Sequence, residues 1–464
     1  TCLMDRQPPN DLRVLIIADH ASAKFGGEAI LPLHYFRLLR HRGIDARLVV
    51  HVRTRDELAE RFPNDLARIH FMPETKLHLV LDRCGKWLPS PIKHFTAEWL
   101  SRLLSQLMAR RLIRRLIRKQ RIDLVHQPIP VSPKEPSVLY DLGVPVVIGP
   151  MNGGLTFPAG FGHSEGNGWT RLTYLVARRA SAILNRLLPG KLKADVLVVA
   201  NNRTRRALPP SAHGRVVTLV ENGVDLSLWG SRDETDCENG PVRFIFSGRL
   251  VDWKGVDLLI EAFKQVAVQI PSTLELLGDG AERRDLDARV KREGLTGMVR
   301  FLGWHSQAEC ARLFRTADVF VLPSLFESGG AVVLEAMAVG LPVVATRWGG
   351  PTDYLDDTCG ILVPPSSREQ LIAGLRDAML RLAQSPQLRR DMGRAGRRRV
   401  IDRFDWERKV DQMLRIYAEA VAGCNNSSVS SAAPAANPPT PRPAPRPAQG
   451  QTPPIWAPAS GSLS

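Results

Sequence analysis

The sequence predicts an α/β protein made of two parallel-sheet domains, and three observations carry that expectation. Short runs rich in β-branched and other apolar residues recur along the chain, among them VPVVIG (144–149), DVLVVA (195–200) and DVFVLP (318–323). Amphipathic stretches of helical length separate most of them. The runs are apolar nearly throughout instead of alternating, which is the pattern of strands covered on both faces by helices.

Taken in order, the first half offers strands at 13–18, 46–51, 123–126, 144–149, 195–200 and 215–220. A helix is expected at 28–41, after Gly26 and Gly27, and another over 99–121. The polar, glycine-containing stretch 221–240 then suits an interdomain connection. Strands resume at 242–247, 273–278, 298–303, 318–323 and 341–346, again with helices between. A last amphipathic helix covers 403–421, and from 424 the chain turns rich in Pro, Ala and Ser without period, which predicts disorder to 464.

The bulk properties bound the function. The 464 residues are 44% hydrophobic and 24% charged, an ordinary globular balance. Six well-separated cysteines, with no CxxC and no histidine at zinc spacing, favour a reducing compartment over a disulfide framework. The first ten residues hold no apolar run, so no leader is expected, and the longest apolar runs are far shorter than a membrane span. A net charge of +16 is compatible with nucleic acid, an anionic membrane surface or anionic small molecules as partners.

In open parallel sheets ligands bind beyond the carboxyl ends of the strands, so the loops there deserve the closest reading. After the strand at 242–247, the loop of SGRLVDWKG carries Arg249 and Lys254, two cations suited to a diphosphate, or else two solvated surface charges. The GDG loop sets Gly278 and Gly280 for close backbone approach and Asp279 as a helix N-cap, though a simple tight turn accounts for it as well. The stretch FESGGAVVLEAMAVGLPVVA (326–345) is almost wholly apolar yet holds Glu327 and Glu335. A helix starting near Gly330 would aim the amides of Gly330, Ala331 and Val332 at the cleft, a ready anion site. The plainer account, in which Ser328 caps the helix and Glu327 complements its dipole, leaves Glu335 unexplained.

In order and spacing, SGRLVDWKG, GDG and ESGGAVVLEAMAVGLPVVAT resemble the nucleotide-sugar-binding domain of the retaining, GT-B-fold glycosyltransferases of family 4, the glycosyl transferases group 1. The resemblance is dense in the second half and at NGVDLSLW, and thinner over the rest of 11–420. It implies two Rossmann-like domains facing across a cleft. An acceptor-binding domain would span 11–222 and a donor domain 241–403, with a helix at 404–423 crossing back to the first. It also implies roles. Arg249 and Lys254 hold the donor diphosphate, Glu335 takes the ribose hydroxyls, and Glu327 faces the donor sugar. The amides of Gly330, Ala331 and Val332, together with Gly26, Gly27, Gly278 and Asp279, complete the donor contacts. His126, Asn152 and Gly153 fall on the acceptor side. The chain departs from the family pattern where Pro128 replaces a second histidine after His126, and where VIGPMNGGLTFP replaces a His-Gly pair.

The partners so implied are a nucleotide sugar and a glycan or lipid-linked acceptor, with no metal, no other cofactor and no nucleic acid, in the cytoplasm. The helix over 99–121 sorts Arg110, Arg111, Arg114, Arg115, Arg118 and Lys119 away from Leu112, Ile113, Leu116 and Ile117. Such a segment either lies on an anionic membrane or packs into the core with a solvated cationic face. Acidic pairs are misplaced for a metal: Asp285 and Asp287 lie in a helical stretch and DETD in the connection. Rival readings are an epimerase or phosphorylase on the same fold, an inactive scaffold, and a nucleic-acid-binding protein, which would explain the charge but neither Glu327 nor Glu335.

Overall fold

Residues 11–24, 27–75, 99–164, 183–232 and 240–431, with the single positions 77, 80 and 83, are described by the computed structural model. Both sheets belong to the unit that ends at Cys424, and Asn425–Ser464 form a separate unit.

Seven strands make the first sheet: β1 (Arg13–Ile17), β2 (Asp45–His51), β3 (Ile69–Met72), β4 (Leu124–Gln127), β5 (Val146–Met151), β6 (Val196–Val199) and β7 (Arg215–Thr218). Their order is β3-β2-β1-β4-β5-β6-β7 and every pairing is parallel. The second sheet holds β8 (Val242–Ser247), β9 (Ser272–Leu277), β10 (Val299–Gly303), β11 (Val319–Leu322), β12 (Val343–Thr346) and β13 (Gly360–Val363), in the order β10-β9-β8-β11-β12-β13, again all parallel. In both sheets the order reverses beside the first strand, between β1 and β4 and between β8 and β11.

Burial explains why the strands read as unbroken apolar runs. Val14 and Ile16 pack in the core on one face of the first sheet, while their neighbours Leu15 and Ile17 pack in the core on the other. Strands β3 (IHFM) and β13 (GILV) were not anticipated, because one carries a histidine and the other opens on glycine. The helix expected from residue 28 begins as a 3-10 turn, Gly27–Ile30, and becomes α-helical at Leu31–His41.

The Trp99–Lys119 helix buries Ala109, Ile113 and Leu116 against the first sheet and leaves Arg111, Arg114, Arg115, Arg118 and Lys119 exposed. Its apolar stripe is thus spent inside the protein, and Arg110 stacks over the Tyr140 ring at 3.6 Å. Among the described residues no helix is long and apolar enough to cross a membrane.

The connection after β7 is not a loose linker: Val224 and Trp229 are buried in the core of the second sheet. Where the chain returns, Val224 N–H donates to the Phe404 carbonyl (2.8 Å) and Trp406 N–H to the Val224 carbonyl (3.1 Å). The two crossings between domains are therefore bonded to each other. From there the Trp406–Ser431 helix lays Val410, Met413 and Tyr417 into the core of the first sheet. The helix runs to Ser431. Residues 432–464 lie outside the described residues.

His126 corrects one expectation. Lying within β4, it points into the core beneath the last helix and is fully buried. Its Nε2–H donates to the Gly149 carbonyl (2.6 Å), so Nδ1 is the acceptor for the Tyr417 hydroxyl (2.6 Å). Burial holds its pKa down at about 4. Both ring nitrogens are engaged, and none is left for an acceptor. Tyr417→Phe should cost about 1–3 kcal/mol in a denaturant titration by leaving Nδ1 buried and unpaired; a change within about 0.5 kcal/mol, as for an ordinary surface substitution, would refute that role.

Candidate functional site

The topology brings the singled-out loops together, since the loops after β1, β8 and β11 all stand at the two reversals of strand order. Beyond β8, Lys254 closes a 3-10 turn, Asp252–Lys254, and Gly255 follows with φ 64°, a left-handed conformation suited to glycine. A Cβ on Gly255 would stand 2.5 Å from the Pro323 carbonyl oxygen, so this glycine lets the β8 and β11 loops touch. The contact puts the Lys254 ammonium on the Glu327 carboxylate as a short, largely buried ion pair. Arg249 remains exposed, with its guanidinium 5.8 Å from the Trp253 ring centre.

The GDG loop works differently from the expectation. A Cβ on Gly278, whose φ is 123°, would lie 2.0 Å from the Gly248 carbonyl oxygen, and one on Gly280 would lie 2.3 Å from that of Leu250. What these glycines approach is the Arg249 loop itself. Asp279 caps no helix: the next one, Arg283–Arg292, starts later with Glu282 at its N-cap, and the Asp279 carboxylate accepts from Gly280 N–H (2.8 Å).

The Ala331–Val339 helix begins after Gly330 (φ 74°) with no side-chain cap, so Ser328 does not close it. The first N–H groups of a helix have no partner within it, and here the site side of the helix offers those of Ala331 and Val332. One turn on, Glu335 lines a cavity of about 380 Å³ between the domains. The second domain contributes Ala331, Glu335 and Gln307, the connection contributes Asn222 and Asp225, and the first domain contributes Gly27, His34 and Arg37. Glu335 makes no hydrogen bond or ion pair among the described residues, and loss of surrounding water pushes its carboxyl from the ordinary 4.5 up to about 7. Gly26 lies outside the described residues.

Asn152 and Gly153 do not form an open acceptor surface. Asn152 is only 4% exposed; its Nδ2 donates to Glu221 Oε1 (2.6 Å) and to the Ser328 carbonyl (2.7 Å). Gly153 packs under Pro133, with no room for a Cβ. Sequence reasoning also missed the neighbours of this centre. Asn201 Nδ2 and Arg203 reach Asp353 of the second domain (2.8 and 3.4 Å), and Asn222 Nδ2 donates to the Tyr354 hydroxyl (3.0 Å). The only signal was a run of polar residues, Glu221-Asn222, at the mouth of the connection. A first-domain segment also reaches across, with Trp348 Nε1–H donating to the Thr156 carbonyl (2.7 Å) and Phe157 tilted against Phe326 at 5.1 Å. Among the described residues no three His, Cys, Asp or Glu side chains converge as metal ligands would.

Residues 230–399 match the family model described as Glycosyl transferases group 1. Related sequences include a D-inositol 3-phosphate glycosyltransferase from Saccharomonospora viridis, 34% identical over 47% of this chain and 53% of that protein. A glycogen synthase from Mycobacterium tuberculosis is 30% identical over 45% of this chain and 49% of its own. The chain thus spans about half the length of the curated relatives it matches. Among solved structures, the sucrose-phosphate synthase of Thermosynechococcus elongatus aligns over 89% of this chain and all of its own, with TM-score 0.57 and 21% identity. Anabaena HepE, solved in complex with UDP, aligns over 90% of this chain and all of its own, with TM-score 0.56 and 19% identity. The fold is GT-B: two Rossmann-like α/β domains.

The raised pKa of Glu335 has a sign that can be measured. A carboxyl whose folded pKa lies above its unfolded value costs stability as it ionises, so its contribution falls as the pH climbs from about 4.5 to about 7. Glu335→Gln removes that cost. The variant should therefore gain melting temperature on the wild type between pH 5 and pH 8, and a pH-independent difference would show that the carboxyl is well solvated.

Proposed function

We propose that this protein is a retaining glycosyltransferase that moves a sugar from a nucleotide diphosphate donor to a glycan or lipid-linked acceptor. The observation that carries this reading is the cavity in which the unpaired Glu335 and the uncapped end of the Ala331–Val339 helix face Gly27 of the other domain. Its volume suits a nucleotide-sized ligand. The group 1 match and the UDP-bound neighbour support the same assignment.

In this reading the residues divide the work. Glu335, once ionised, accepts the ribose hydroxyls, and their hydrogen bonds favour its charged form. The diphosphate draws Lys254 off Glu327, so one binding event places a cation on the leaving group and frees a carboxylate for the sugar hydroxyls. Arg249, exposed at the rim, swings onto the same phosphates. Charge building on the departing diphosphate then meets fixed cations and the amides of Ala331 and Val332. No side chain is assigned as nucleophile; retention follows from attack on the face the leaving group vacates. For a lipid-linked acceptor, the exposed cations of the Trp99–Lys119 helix, whose apolar stripe is packed inside the protein, meet an anionic membrane surface by electrostatic attraction alone.

A thermal-shift panel of UDP-, GDP- and ADP-sugars tests the donor. A donor at about 100 times its dissociation constant adds about 2.7 kcal/mol of stability, and Glu335→Ala should abolish that gain. Absence of any shift with every donor, together with salt-dependent nucleic-acid binding, would replace this reading with the nucleic-acid one. With a donor in hand, Lys254→Ala should lower kcat by about 10²–10³, while wild-type-like turnover would remove Lys254 from the chemistry.

A further inference from the structure

We propose that Asn152 is a positioning residue for the turn at 327–330, holding it from the opposite domain so that this turn is correctly shaped only when the domains are together. The inference rests on the donor assignment above for what the turn does, but not for how it is held.

The turn is gripped on three sides. From the first domain, Asn152 Nδ2 donates to the carbonyl of Ser328 at 2.7 Å. From the connection, Asn222 and Glu221 press against Gly329, where a Cβ would stand 2.4 Å from Asn222 Nδ2 and 2.5 Å from Glu221 Oε1. From its own domain, Gly350 N–H donates to the Glu327 carbonyl at 2.8 Å, and a Cβ on Gly350 would meet the Gly329 carbonyl oxygen at 1.9 Å. There is no slack on any of the three.

Asn152 is the member that cannot be replaced by water. It is almost fully buried, both of its amide hydrogens are committed, and its Oδ1 accepts from Asn201 Nδ2 and Arg203 Nη2, each at 3.3 Å. Asn201 and Arg203 are the same side chains that reach Asp353 across the domains. Parting the domains therefore breaks the Ser328 and Asp353 contacts together. With them goes the register of Glu327 and of the helix amides that begin at Ala331. A buried polar centre of this kind is costly to satisfy only in part, which makes the arrangement cooperative. It also accounts for an asparagine, with two donors and one acceptor, where the family resemblance led us to expect an acceptor contact.

Hydrogen–deuterium exchange on the unliganded protein tests the brace directly. Asn152→Ala should speed exchange about tenfold in segments 324–335 and 348–354, beyond its direct partners at 201–204 and 221–222, with the rest of the chain unchanged. If that variant does not fold, Gly329→Ala attacks the turn from the connection side and should mark the same two segments. Unchanged exchange in these segments, or a uniform rise along the whole chain, overturns the proposal. Once a donor is identified, Asn152→Ala should raise the donor KM about tenfold and leave the acceptor KM unmoved; equal effects on both would mark a purely structural residue. A panel in which no donor binds the wild type removes the glycosyltransfer reading, while the exchange result still decides the brace.

Discussion

Loops that carry the site touch one another backbone to backbone, and the rest of the arrangement depends on those contacts. Gly278 lies against the Gly248 carbonyl, Gly255 against that of Pro323, and Gly350 against that of Gly329. No side chain fits at these points, so glycine is required where these loops meet. That spacing is what lets Lys254 reach Glu327 and lets a helix start beside them without a cap.

Charge at the site follows two different rules. Lys254 and Glu327 answer each other, so neither is left uncompensated in a largely dry position. Glu335 answers nothing and meets burial by holding its proton more tightly. Glu221 shows the same physics in a structural setting: burial raises its pKa, and the Asn152 hydrogen bond pulls it back.

Much of this was legible in the sequence because it depends on short-range pattern. Apolar runs gave the strands of both sheets except β3 and β13, with small boundary errors, and the loops after β8 and β11 could be picked out because cations and carboxylates stood where apolar residues were due. What could not be read depended on which face a strand shows. His126 and Asn152 are polar residues at or just past strand ends, and pattern alone cannot say whether such a residue looks into the cleft or into the core. The structure turns both inward, His126 onto Tyr417 and Asn152 onto Glu221 and Ser328. Likewise, the partners of Asn201 and Arg203 lie some 150 positions away at Asp353, beyond any local pattern. Gly278 and Gly280 were marked as places of close approach, and what they approach is another loop of the same sheet.

The chain passes between its domains twice, and the two passages are hydrogen-bonded neighbours at Val224, Phe404 and Trp406. Two tethers set far apart would lock a pair of bodies, and a single tether would let them tumble. Two tethers side by side act as a door hinge, leaving swing about one short line as the cheapest motion. Side chains near that line, such as Lys409 against the Val220 carbonyl, barely travel during a swing. The rims of the cleft, farthest from that line, sweep the widest arc.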